Sequence, residues 1–523
     1  MKKLFTIMAL ALCSLASIAD EYTCPYKVLV TGLNPVTGEM TVNVDKQSNN
    51  KYTLSIKNFA LNAAMKVGNI VVNDVDGLIC GNTTALSTQQ VIQITSGDGN
   101  AEDWMGPTLG DVPILMKAEI CNNKLNAILN IDMSKMQQNV SVMLGENVDD
   151  FGQIPNSDFG DFHDAKYGSV TSREPNHWHS FMSATGNYVS YVAEAPHTFE
   201  STDHPSDSKN GKSVQIKSAV VAGKSANGTL TTGRLKAGSM FASSSENNAF
   251  LDLSNKDVDN NNDPFYTVLT CKPDEMKVNL KYNIGKRGIT NKDNKNATVK
   301  AIITNGNKVQ DPELKENNGN VVARAENATI ASSNDWQEIS IPFTYTKNNI
   351  DTKAILVTIS TSSVAAGGSK DDSNPDIVWV DNVELVYNAD LESVTYKGEP
   401  IEFEDGEALI EGTGVVNLDD FVVKAKSPHA FISKTITPNN NNGNNNGVIV
   451  AVTITSNDLK TANVYYILIE GATTSIKDTK ATIANNGIQA IYNLAGQQVG
   501  SMTPGQVYIV KTTDGQTKKV IKK

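Results

Sequence analysis

The stretch Glu174-Pro175-Asn176-His177-Trp178-His179-Ser180-Phe181 is the most distinctive in the chain. Two histidines at i and i+2 point the same way on a strand, so His177 and His179 raise the question of a metal site, with His197 and His204 downstream. Zinc needs at least a third protein ligand in a held geometry. Glu194, Glu200 and Asp203 could supply one, although acidic loops carry such residues routinely. A second chemistry is sugar recognition, which needs an aromatic face for the C–H side of the ring and polar groups for its hydroxyls. Trp178 and Trp336 are the candidate platforms, with His179 beside the first. The structural alternative for each tryptophan is a place in the core of a sandwich.

Other motifs carry less. Asp257-Val258-Asp259-Asn260-Asn261-Asn262-Asp263 opens like an EF-hand loop. It has Asn262 where the glycine belongs and Val268 where the bidentate glutamate belongs, so it reads as a solvated loop. In the run from Ile377 to Tyr387, strict alternation puts Trp379, Asp381, Val383 and Leu385 on one face, which sets Asp381 in an apolar row. A buried carboxylate is costly unless paired, hydrogen-bonded or bound to a cation. There is no nucleophile elbow, P-loop, HExxH or dinucleotide glycine fingerprint. A glycosidase needs two carboxylates roughly 5–10 Å apart, and a chain with 57 acidic residues does not reveal such a pair by spacing.

The elements that must position these residues are strands. Lys51-Tyr52-Thr53-Leu54-Ser55-Ile56-Lys57, Val278-Asn279-Leu280-Lys281-Tyr282 and Ile339-Ser340-Ile341-Pro342-Phe343 alternate with period two, while long amphipathic helical stretches are nearly absent. The fold class is all-β. Four segments separate: 20–146, 158–388, 391–471 and 474–523. The run from Asn439 to Asn446, asparagine but for one glycine, reads as a hairpin loop within the third.

At 523 residues the chain predicts three or four domains. A net charge of −12 argues against nucleic acid and anionic membrane surfaces as partners. Lys2 and Lys3 precede an apolar run to Ala19, and Ser17-Ile18-Ala19 before Asp20 suits signal peptidase, so residues 1–19 read as a secretory signal. Leu12 is too bulky for a good lipobox at Cys13. No other stretch reaches the length of a membrane helix. An oxidising compartment would permit one disulfide among Cys24, Cys80 and Cys121, with Cys271 farther on; connectivity stays open.

Several stretches carry family resemblances. The segment from Asn58 to Val75, with Val67-Gly68-Asn69-Ile70 at its centre, resembles the calycin-like β-barrels of Bacteroidota secreted proteins. That implies a closed barrel, either holding a small apolar ligand or filled by its own side chains. The motif from Glu174 to Phe181, followed by Gly211-Lys212-Ser213-Val214, Gly233-Arg234-Leu235, Asp263-Pro264-Phe265, Trp336-Gln337-Glu338-Ile339 and Val380-Asp381-Asn382-Val383, is similar to the PCMD-type carbohydrate-metabolism domain of Bacteroidota surface proteins. This family implies a jelly-roll sandwich and brings no established catalytic residues. The resemblance to jelly-roll glycan-binding modules further implies a structural calcium against Asp381, with Asn156, Asp158 and Asp161 as candidate donors; the alternative is an Asp381 bonded to amides or a basic side chain. Leu391-Glu392-Ser393-Val394-Thr395-Tyr396 opens a run similar to small Ig-like spacer sandwiches. Tyr492-Asn493-Leu494-Ala495-Gly496-Gln497-Gln498-Val499, Pro504-Gly505-Gln506-Val507-Tyr508-Ile509-Val510 and the lysine-rich end resemble the C-terminal sorting domain of type IX secretion substrates, from which Thr512-Thr513-Asp514-Gly515 departs as an insertion. The partners so implied are a glycan or other extracellular ligand and the type IX secretion machinery, at the outer-membrane surface or outside the cell. A carbohydrate-active enzyme and a purely structural or adhesive surface protein are the rival expectations.

Overall fold

A computed structural model describes residues 20–30, 34–61, 65–133, 138–260, 262–287, 292–439, 447–473, 488–493, 499, 507–512 and 517–521. The signal segment, the centre of the asparagine run and residues 494–498, 504–506 and 513–515 of the tail motifs lie outside them. The chain divides into two compact units, Met1–Leu78 with Leu86–Glu146 and Thr479–Lys523, and Ile79–Ala85 with Asn147–Asp478. The all-β expectation holds in both.

In the first unit, eight strands from Asp20–Val30 to Gln138–Leu144 form a closed barrel in sequence order, with the first strand pairing the last. Alternation turns Tyr52, Leu54 and Ile56 inward, where they join Val28, Val42, Val72, Met116 and others in one continuous apolar cluster. The Asn58 to Val75 motif is structural. Asn69 accepts the Asn58 N–H at 2.8 Å and donates to the Ser96 carbonyl at 2.8 Å, while Asn58 clasps Asp98 at 2.8 Å. Gly68, at φ +129°, lies where a Cβ would come within 2.1 Å of the Thr95 carbonyl oxygen, so only glycine fits. Cys24 and Cys121 are free thiols, and burial in the barrel core pushes the Cys24 thiol pKa up. The described part of the tail forms a three-stranded antiparallel sheet of Ile488–Asn493, Val507–Thr512 and Thr517–Ile521.

The second unit contains a two-sheet sandwich. The first sheet runs Thr198–Ser201, Ser213–Lys217, Ile377–Val386, Glu275–Asn283, Ser333–Pro342; the second is built on Thr229–Thr231, Ala354–Ser360, Ala297–Thr304 and Val321–Ile330. Val214, Ile216, Val278, Leu280, Val378 and Val380 of the first sheet are fully buried, as are Val299, Ala301, Ile303, Ile355, Val357 and Ile359 of the second. This is the core that period two prescribes. The Ile377–Val386 strand departs from strict alternation, because a register shift between Lys277 and Asn279 is matched by Asn382 at φ +48°. The bulge returns Val383 and Leu385 to the face of Val378 and Val380, and leaves Asp381 on the other face with Trp379. The expected apolar row for Asp381 is therefore corrected.

The smaller sandwich that follows packs a three-stranded sheet containing Leu391–Tyr396 on a four-stranded one, in which Glu407–Val415 runs parallel to Ala462–Thr473. Phe431–Pro438 and Val448–Thr455 pair as a hairpin about the asparagine run.

One buried ion pair ties loops to the large sandwich. Asp376 is fully buried; it accepts hydrogen bonds from the Gly285 and Ser369 N–H groups and from Arg287, which also donates to the Tyr282 hydroxyl at 3.0 Å. Burial raises the Tyr282 hydroxyl pKa to about 12. Asp376→Ala leaves the guanidinium, 9% exposed, without its partner. It should cost about 3–5 kcal/mol of sandwich stability, measured by calorimetry of the full chain.

Candidate functional site

The outer face of the second sheet changes character along its length. Paired across Ala297–Thr304 and Ala354–Ser360 are Ile302 with Leu356, then Lys300 with Thr358, then Thr298 with Ser360. The apolar end is covered by Leu235, Ala249 and Leu251, forming a second small core. The polar end is open and floors a cleft of about 360 Å³. The Thr358 and Ser225 hydroxyls in its lining are buried without a partner in the protein, and Thr298 beside them is half-buried.

One wall is aromatic. Thr185 and Tyr188 bond the Arg234–Ala237 strand through their N–H groups, both at 2.9 Å, and a single helical turn, Val189–Ala193, follows. Spacing i, i+3 puts Tyr188 and Tyr191 side by side, with ring centroids 6.3 Å apart, and Tyr191 is 55% exposed. Phe181 adjoins them and packs at a tilt of 56° against the buried His197 ring, centroids 5.0 Å apart. At the floor, Lys300 meets Asp311 at 3.1 Å, Glu313 at 3.2 Å and Glu326 at 3.9 Å. Burial alone would lower the Lys300 pKa, but these carboxylates outweigh it and hold the ammonium charged. The cleft thus offers an aromatic wall, hydroxyls and a fixed cation with its counter-charges.

The residues singled out from sequence lie elsewhere. Trp178 is fully buried, packs on Phe159 at 5.2 Å and donates to the Pro155 carbonyl, so it is core and presents no platform. Trp336 is half-buried on the outer face of the first sheet, the opposite side of the sandwich, where its indole donates to Asp203 at 3.1 Å. Asp203 also holds Lys281, whose ammonium lies over Trp379. His179 is fully buried and bonds Asp257 at 3.0 Å. His177 does not share a strand with it: at φ +68° it sits in a turn and meets Asp263 at 2.8 Å. His197 and His204 bond the Lys217 and Pro205 carbonyls, and Glu200 is held by Arg173 and Lys212, so these residues do not join His177 and His179 in a metal site. In the Asp257 to Asp263 run, Val258, Asp259 and Asn262 are exposed as in a solvated loop, while Asp257 and Asn260 are buried.

Residues 18–144 match the family model described as "Calycin-like beta-barrel domain", and residues 150–386 match that described as "Putative carbohydrate metabolism domain". The chain carries both domains. No curated protein matches it. Similar solved structures include a "putative glycoside hydrolase" from Bacteroides vulgatus ATCC 8482, 17% identical over 44% of this chain and 96% of that one, TM-score 0.29. Another with the same description, from Bacteroides thetaiotaomicron VPI-5482, is 13% identical over 69% and 84%, TM-score 0.28. A structure from work on carbohydrate-binding modules of the β-sandwich superfamily is 8% identical over 69% and 98%, TM-score 0.20. Likeness at this level carries no argument about chemistry.

Within the carbohydrate-metabolism domain, Asp381 is fully buried and its Oδ2 has no partner. Burial raises its pKa to about 6, and the nearby charges of Asp158 and Asp207 push the same way against the Ser208 hydroxyl and the Asn382 N–H. The Asn156 amide is spent on Asp161 and Asn176, closing a turn, while Asp158 accepts from Asn210 and Asp207 from Asn279, so the expected donor set of Asn156, Asp158 and Asp161 is not assembled on Asp381. In the calycin-like domain, a recess of about 440 Å³ opens where the Val36–Lys46 and Lys51–Ala60 strands diverge. Glu21, Glu39 and Lys57 line it along with Tyr26 and Phe59, so it is polar and open rather than an enclosed apolar cavity.

His197 gives the aromatic wall a pH dependence. Full burial lowers its pKa below the unfolded value of 6.5, so the folded domain takes up fewer protons than the unfolded chain. Its contribution is intact above pH 6.5 and is lost as the pH falls below it. Its share of the unfolding free energy should drop between pH 6.5 and 5 with a slope of at most about 1.4 kcal/mol per pH unit. His197→Gln, which keeps a donor for Lys217, should flatten that part of the calorimetric profile.

Proposed function

We propose that this is an exported, surface-displayed binding protein whose sandwich holds a glycan in the cleft walled by Tyr188 and Tyr191. The carrying observation is the meeting of those rings with the Lys300 cluster and the half-buried Thr298, Lys236 and Asn248, the pairing of apolar face and polar groups that a sugar ring requires. The family description of residues 150–386 supports a carbohydrate ligand. Binding is favoured over hydrolysis because Asp311 and Glu326, the carboxylates lining the cleft, are both drawn onto Lys300 rather than set across the space from each other. With one continuous apolar cluster of its own side chains inside it, the calycin-like barrel is read as a structural module.

Export rests on the N-terminal signal pattern and the tail motifs. No helix among the described residues is long and apolar enough to cross a membrane. We assign display to the type IX machinery, addressed by the tail.

Screening the full mature chain on a glycan array should give a carbohydrate ligand that is recovered unchanged. Tyr191→Ala and Tyr188→Ala should each weaken its binding about 10-fold, the worth of one aromatic contact. Turnover of the ligand would overturn the non-catalytic reading, and silence across the array would overturn the glycan.

The unpartnered Oδ2 of buried Asp381, with the charges of Asp158 and Asp207 nearby, is the anchor we propose for a structural calcium ion. Adding Ca²⁺ to the chelator-treated protein should raise its thermal midpoint by several degrees. Asp381→Asn should abolish that rise, and a midpoint indifferent to Ca²⁺ would remove the ion from this reading.

A further inference from the structure

The hairpin of Phe162–Tyr167 and Val170–Pro175 forms a two-stranded sheet of its own. Its register sets His163 directly opposite Glu174, which brings their side chains out on one face with Cβ atoms about 5 Å apart. Asp257, the last residue of the Asp252–Asp257 strand, closes on this pair. One donor atom from each of His163, Glu174 and Asp257 lies within 4.8 Å of the other two.

Each donor is held by a further partner. His163 Nδ1 lies 3.1 Å from the Asn176 side-chain oxygen, which can only accept, so Nδ1 carries the proton and Nε2 keeps its lone pair. That Nε2 is buried with no partner. Glu174 is fully buried; its Oε1 accepts from the Ser180 N–H at 3.1 Å and from the Ser180 hydroxyl, while its Oε2 is buried and unpartnered. Asp257, 3% exposed, accepts the Asp259 N–H at 3.1 Å on one oxygen and bonds His179 Nδ1 at 3.0 Å with the other. Among the described ion pairs, Glu174 has none and Asp257 has only His179. Two adjacent buried carboxylates with so little counter-charge are costly unless a cation or a proton offsets them.

We propose that His163, Glu174 and Asp257 bind a divalent first-row transition-metal ion, zinc in the first instance, through one imidazole nitrogen and two carboxylate oxygens. An imidazole selects against calcium and magnesium, which prefer all-oxygen shells, and His-plus-carboxylate sets suit zinc, manganese and iron. The Asn176, Ser180 and His179 contacts are the outer partners that fix tautomer and orientation around such an ion. The ion would cross-link three strands, and an isolated two-stranded hairpin has little stability of its own. None of the three ligands lines the tyrosine-walled cleft, so the site stands or falls apart from the glycan reading.

The test is titration of the chelator-stripped full chain with Zn²⁺, and with Co²⁺ as a spectroscopic probe. One equivalent of Zn²⁺ should bind, raise the thermal midpoint and resist a large excess of Ca²⁺ or Mg²⁺, and Co²⁺ should develop visible ligand-field bands. Glu174→Gln and His163→Gln should each weaken Zn²⁺ by about 100-fold or more, and the positioning change Asn176→Ala by about 10- to 100-fold. Asp381→Asn should leave Zn²⁺ uptake intact. Asn176→Ala and the wild-type stoichiometry carry the test if the ligand variants do not fold. Uptake well below one equivalent, displacement by Ca²⁺, or wild-type affinity in folded Glu174→Gln would overturn the proposal and leave a proton shared between Glu174 and His163 as the occupant.

Discussion

Two central strands of the second sheet, Ala297–Thr304 and Ala354–Ser360, set the conditions for the rest of the sandwich. Their inward rows, Val299, Ala301 and Ile303 against Ile355, Val357 and Ile359, are fully buried and hold the sheets together. Their outward rows cannot be uniform, because the covering strands Arg234–Ala237 and Asn247–Phe250 bring apolar side chains to one end only. Ile302 and Leu356 lie beneath that cover, and the polar pairs beyond it remain open. The cleft is the uncovered half of a sheet face, with one helical turn laid along its edge to supply two tyrosines.

Charge burial is the second constraint. Asp376, Asp381, Asp257 and Glu174 all lie in the large sandwich or the loops folded onto it, each at 3% exposure or less. Only Asp376 has a guanidinium at hand. The others are met by N–H groups, hydroxyls and an imidazole, which offset part of the desolvation cost and leave one oxygen of Asp381 and one of Glu174 unpartnered. Hydrogen bonds from neighbouring backbone thus place these carboxylates without neutralising them, which leaves them suited to cations.

The strands were legible in the sequence because alternation is a local pattern: Tyr52, Leu54 and Ile56 face the barrel core as period two requires. The same rule misplaced Asp381, since the bulge at Asn382 costs one residue of register that no local pattern announces. The histidine motif stands out by composition, but the acids nearest it in the sequence are not its partners. Glu200 and Asp203 go to Arg173 and Lys281, whereas the acids that reach His179 and His177 come from the Asp257 to Asp263 run, read as solvated. Trp178 and Trp336 stand out in the sequence as large aromatics, while Tyr188 and Tyr191 lie at a helical turn too short to show a period.

Sequence alone determined the class of the fold, the strand-rich modules and the faces that would turn inward, because each depends on neighbours two residues apart. Tertiary structure decided which side chains would act together. Thr298 meets Ser360 through a pairing between strands distant in the chain, and Glu174 nears Asp257 where strands of two separate sheets come together. Whether an aromatic becomes core or wall, and whether an acid is solvated or buried, follows from what the rest of the chain lays over it.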